Sequence, residues 1–208
     1  MYYGFRAGHN PFNSEKVWRG QGSAGEIGEA IMELDHNVGR VLKTLRNFGL
    51  EEDTIVVFMS DNGAIGRWNA ATATQPYPDG SYMWDTYRHY QNSMTVDGKW
   101  HKFNGGKNSA YEGGHRMPFL WKYPRLIKEP RIVRDSIVSY VDVFRTLSEL
   151  IGDVSQPCNE APDSRSLVQV LLGQGAPLRE PLLQHSVFQG TTLTFTTQAT
   201  LSSFLSQS

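Results

Sequence analysis

An α/β fold, a mixed and largely parallel sheet flanked by helices, is predicted for this chain of 208 residues by three features of its order. A long apolar repeat of helical period comes first. After a short turn follows a β-branched, apolar stretch, and helix then strand in that order is half of a βαβ unit. That stretch is apolar at successive positions, as in a strand covered on both faces.

Residues 1–22 are rich in Gly, Asn, Pro and aromatic residues and read as an irregular lead-in. Ser23-Ala24-Gly25-Glu26 has the spacing of a capping box, in which hydroxyl and carboxylate each satisfy a backbone N–H at a helix start. Ile27, Ile31, Leu34, Val38, Val41, Leu42 and Leu45 then recur at helical spacing, and Gly49 is placed to end the helix. Residues 54–60 form the expected buried strand. Residues 64–104 carry many aromatics and no sustained period, the pattern of a long functional loop. Residues 117–123 resemble a second strand closed by Pro124, and residues 132–139 a third. Residues 143–151, followed by Gly152, and 166–172, followed by Gly173, read as helices. No Asp, Glu, Lys or Arg follows Glu180, and residues 191–208 read as a low-complexity, unstructured tail.

Composition sets bounds. Hydrophobic residues are 39% and charged residues 20%, ordinary for a globular domain, and a net charge of −1 gives no electrostatic case for nucleic acid. No apolar run approaches the roughly 18 residues that span a bilayer. The single cysteine, Cys158, excludes an internal disulfide and a cysteine-rich metal site. Residues 1–9 lack the basic-then-apolar order of a signal peptide, so compartment is not legible.

Two segments carry the chemistry. Asp61 and Asn62 close the first strand, where ligands collect in α/β sheets, and both offer hard oxygen donors suited to Ca²⁺ or, less well, Mg²⁺. Asp-Asn-Gly is equally the composition of a tight turn. Lys107 follows Gly105-Gly106, which let the backbone approach a tetrahedral oxyanion; a solvated surface lysine is the alternative. Arg116 reads as the structural partner of Glu112. His115 is open between a proton donor and a solvated side chain. His101 lies in the aromatic stretch 76–103, which either lines a substrate cleft or packs the loop onto the domain.

In order, these segments resemble the sulfatase family of the alkaline phosphatase superfamily. The resemblance rests on Ser60-Asp61-Asn62-Gly63, then Gly105-Gly106-Lys107 through Glu112-Gly113-Gly114-His115-Arg116-Met117-Pro118. Glu33-Leu34-Asp35, Ser139 to Thr146 around Asp142, and Asp163-Ser164-Arg165-Ser166-Leu167 look like further landmarks, with Arg145 where the family usually has proline. The matching region spans residues 23–190 and looks like the C-terminal portion of the catalytic domain.

The resemblance implies an incomplete alkaline phosphatase-like fold and a sulfuric ester hydrolase using calcium and a formylglycine nucleophile. It implies Asp61 and Asn62 as metal ligands, Lys107 as the catalytic sulfate contact, and His115 and His101 as weaker substrate contacts. The nucleophile motif and the other metal aspartates would precede the long helix, outside this chain; Cys158 does not fit that motif. The substrate would be a small sulfate ester or a sulfated sugar, with no nucleic acid and no membrane span. Self-association through the face that the rest of the domain covers is a further expectation. Family members are often secreted, periplasmic or lysosomal. The alternatives are an inactive remnant and a phosphoester or phosphonate hydrolase of the same superfamily.

Overall fold

The computed structural model describes residues 1–9, 14–22, 25–63, 93–96, 99–103, 107, 111–133, 136–153, 160–175, 182–185 and 193–196. Helix α1 runs Gly25–Asn47. Its end is set by Gly49 at φ +67, a left-handed conformation that glycine adopts without a Cβ penalty. The Leu50 amide donates to the Leu45 carbonyl at 2.8 Å and the Gly49 amide to Arg46 at 3.0 Å, which satisfies carbonyls the helix leaves open. The same pair of bonds closes the two later helices, at Gly152 and Gly173. The capping serine, Ser23, lies outside the described residues.

The apolar stripe of α1 is half-buried at Ile27, Leu34, Val38 and Leu45, and Ile31 stays 47% exposed. A polar seam holds the lead-in against the helix. The buried Glu29 carboxylate accepts the Gly20 amide at 2.6 Å, and Glu33 accepts the Glu15 amide at 2.9 Å. Trp18, in a single 3-10 turn Lys16–Trp18, packs on His36 with ring centroids 5.2 Å apart.

Strand β1 is Val56–Met59. A hairpin follows, β2 Ser93–Val96 against β3 Lys99–Lys102. Then come a one-turn helix α2, Glu112–His115, and strand β4, Phe119–Lys122. Helices α3 Asp142–Leu150 and α4 Val168–Leu172 precede a last pair, β5 Leu182–His185 and β6 Leu193–Thr196. The strands pair in antiparallel twos, β1–β4, β2–β3 and β5–β6, and no parallel ladder occurs among the described residues.

The core sits beside α3 and α4. Leu167 and Val170 are buried there with Asp142 and Thr146, both fully enclosed. The Asp142 carboxylate accepts the Ser139 amide at 2.8 Å and the Arg165 amide at 2.9 Å. Thr146 donates to the Asp142 carbonyl at 2.6 Å and accepts the Leu167 amide at 2.9 Å, so these two buried side chains are matched. At the other end, Glu51 ties the close of α1 to β4 through Arg46 and Lys122, each at 3.1 Å.

The expected third strand is corrected. Residues 132–133 and 136–139 are irregular; Ile132 is 79% exposed, and the Ser139 amide is committed to Asp142. A strand there would need a neighbour to cover Ile132, and none is present among the described residues. Within the segment read as a tail, residues 193–196 are strand β6, formed from Leu, Thr and Phe, which suit a pleated surface.

Candidate active site

The register of β1 on β4 places the two sequence segments side by side. Met59 lies opposite Phe119, so residues 60–63 leave the pair where residues 112–118 enter it. The Gly63 amide donates to the Gly114 carbonyl at 2.9 Å and closes the junction. The approach is close: a Cβ on Gly63 would lie 1.8 Å from the Gly113 oxygen, so only glycine fits.

Within the turn, the Ser60 hydroxyl donates to the Asn62 carbonyl at 3.2 Å, and the Asn62 amide nitrogen donates to the Gly63 carbonyl at 2.9 Å. Asn62 Oδ1 is left as the oxygen donor. Asp61 is exposed beside it. The Tyr140 hydroxyl, from the approach to α3, donates to the Ser60 carbonyl and lies 3.4 Å from the Pro118 carbonyl. Burial pushes the Tyr140 phenol above its ordinary value, and the Asp61 carboxylate adds to the rise against the opposing Ser60 hydrogen bond.

The donor chemistry of Asp61 and Asn62 suits a hard cation. Both present the oxygens that Ca²⁺ takes, so they fit as part of a shell. They do not complete one, since Ca²⁺ takes roughly six to eight oxygens. No group of three or more His, Cys, Asp or Glu able to hold a metal occurs among the described residues.

Glu112 opens α2 and holds it. Its carboxylate meets Arg116 at 3.0 Å and the His115 ring at 3.6 Å. The contact with His115 first, opposed by burial and helped by the charge of Arg116, keeps the Glu112 carboxyl below its usual range. Arg116 also stacks over Phe103, 5.0 Å from the ring centre, which joins α2 to the end of β3. Arg116 thus contacts both Glu112 and the Phe103 ring. His115 turns onto Glu112, and no contact joins it to Lys107 among the described residues.

Lys107 stands apart from that cluster. Its ammonium lies 3.5 Å from Nε2 of His9, a residue 98 positions earlier. Sequence reasoning missed His9, because nothing local in an irregular lead-in marks it. His101 lies on β3, its backbone opposite Met94; its side chain is outside the described residues. The β2–β3 hairpin had a usable signal in Asp97-Gly98, the two residues between Val96 and Lys99.

The chain is similar to known proteins. The chain belongs to the Sulfatase family, whose profile matches residues 1–153. It is 31% identical over 189 residues to an N-acetylgalactosamine-6-O-sulfatase of Bacteroides thetaiotaomicron, covering 90% of this chain and 33% of the relative. It is 30% identical to the steryl-sulfatase of Mus musculus, covering 89% of this chain and 26% of that protein. A solved structure from work on the metabolism of multiple glycosaminoglycans by Bacteroides thetaiotaomicron superposes with a TM-score of 0.67 at 27% identity, over 91% of this chain and 35% of that one. The structure of Ps i-CgsB with k-i-k-neocarrahexaose shares the fold, with a TM-score of 0.60 at 22% identity over 86% of this chain and 35% of that one. The chain thus spans a third or less of the length of the two sulfatases it matches in sequence. The α/β class is that of these neighbours. No described helix is long and apolar enough to cross a membrane.

Proposed function

We propose that this chain contributes the cation-binding and sulfate-binding contacts of a sulfuric ester hydrolase acting on sulfated sugars. One observation supports the reading: the β1–β4 register and the Gly63–Gly114 hydrogen bond join the Asp61-Asn62 turn to the Gly113-Gly114 turn, which follows Lys107 in the sequence. Asp61 and Asn62 Oδ1 supply hard oxygens for Ca²⁺, with other ligands from outside this chain. Bound there, the cation supplies charge stabilisation to the sulfuryl group.

Lys107 holds sulfuryl oxygens and balances the charge that develops on them, and His9 beside it adds a second hydrogen-bonding group. Glu112 and Arg116 keep the intervening segment in shape. The formylglycine nucleophile lies outside this chain, so its residues bind and orient without attacking. The N-acetylgalactosamine-6-O-sulfatase among the relatives supports a sulfated sugar as substrate.

The test is release of inorganic sulfate from an aryl sulfate and from 6-sulfated N-acetylgalactosamine. The chain alone and a version extended upstream in its own reading frame are compared, with formylglycine confirmed by mass spectrometry. Sulfate is expected from the extended protein only. Failure there, or faster hydrolysis of the matching phosphate ester, overturns the reading.

A further inference from the structure

The fit of Asp61 and Asn62 to a cation depends on where their turn is held, and one holding group comes from far away in the chain. We propose that the hydroxyl of Tyr140 is a positioning group for the Asp61-Asn62 pair; this rests on the cation reading above. Ser60 is the first residue beyond the end of β1 and Pro118 the last before β4, one step past the final pair of Met59 with Phe119. Proline has no N–H, so it offers the Ser60 carbonyl nothing. The Tyr140 hydroxyl takes that place and donates to the Ser60 oxygen from 80 residues away.

Its ring is fixed in turn by Phe119, in an edge contact with centroids 5.2 Å apart, and Phe119 is the residue paired with Met59. The turn is therefore pinned at both ends, by Tyr140 at Ser60 and by Gly114 at Gly63. Between the pins lie only Asp61 and Asn62. A group that holds its ligands this way sets cation affinity without touching the cation.

Tyr140→Phe keeps the ring against Phe119 and removes only the hydroxyl. Amide exchange, read by NMR on the chain without metal, is expected to quicken at Gly63 by about tenfold, as loss of one ordinary hydrogen bond implies. The amides of α3 are expected to keep their rates. In a Ca²⁺ titration of the upstream-extended protein, the shifts of Asp61 and Asn62 are expected to need about tenfold more Ca²⁺ in the variant. Unchanged exchange at Gly63 overturns the proposal, and so does an equal rise across α3, which marks general loosening. Unchanged Ca²⁺ response overturns the link to the cation. If the unaltered upstream-extended protein shows no Ca²⁺ response at Asp61 or Asn62, the cation reading falls, while the metal-free exchange still decides whether Tyr140 holds the turn.

Discussion

Gly63 donates its amide hydrogen to the Gly114 carbonyl at 2.9 Å, and that bond fastens the carboxylate turn after β1 to the glycine-rich turn before β4. A Cβ at Gly63 would meet the Gly113 oxygen at 1.8 Å, and that atom is backbone, which cannot swing aside. Gly63→Ala is expected to cost about 2 kcal/mol or more by forcing the two turns apart. Urea denaturation measures it. A loss within about 0.5 kcal/mol, the usual range for surface changes, would contradict this packing.

Thr146 is fully buried, with its hydroxyl bonded on both sides. Thr146→Val keeps the shape and leaves the Leu167 amide without its acceptor. The expected loss is about 1–3 kcal/mol, the cost of an unsatisfied buried donor. The same denaturation experiment reads it, and a neutral result would show that the α3–α4 junction does not depend on this node.

Acid sensitivity follows from Glu51. Hydrogen bonds from Arg46 and Lys122 lower its carboxyl from 4.5 to about 2. A folded-state value below the unfolded one stabilises above the unfolded value and is lost as pH falls from 4.5 to about 2. The melting temperature is expected to drop through that window, less so in Glu51→Gln. High salt should shrink the difference, because the pairs are exposed. Glu112 contributes with the same sign. Identical acid limbs in the variant and the parent would show that Glu51 does not set this sensitivity.

Lys107→Ala is expected to lower kcat/KM for a sulfate ester by about 10²–10³-fold in an active, upstream-extended protein, the scale of losing one preorganised charge donor. His9→Ala should fall in the same direction, since His9 and Lys107 share one contact. Initial rates on an aryl sulfate check both. Activity within about twofold of the parent would return Lys107 to the role of a surface lysine.

Local signals were legible. Helix α1 was readable from its repeat and from Gly49, because period and C-terminal glycine act within one element. The helices ending at Gly152 and Gly173 were readable for the same reason. Strands β1 and β4 were readable from their apolar runs, although β1 is half-buried, with Met59 39% exposed, and not covered on both faces. Residues 132–139 misled, because a β-branched run states a preference while a strand also needs a partner. Helix α2 was hidden by its two glycines, which weaken helix propensity.

In the site, Asp61, Asn62, Lys107, Glu112 and Arg116 stood out by composition and order. The contacts of His9 with Lys107 and of Tyr140 with Ser60 did not. Each spans 80 residues or more and leaves no periodic trace in the chain.

Whether Asp61 holds a cation is decided by calorimetric titration of Ca²⁺ into the upstream-extended protein and its Asp61→Ala variant. The parent is expected to bind one Ca²⁺, and the variant to lose at least about tenfold in affinity, as removal of a charged ligand implies. Equal Ca²⁺ affinity in the two proteins would contradict the cation site.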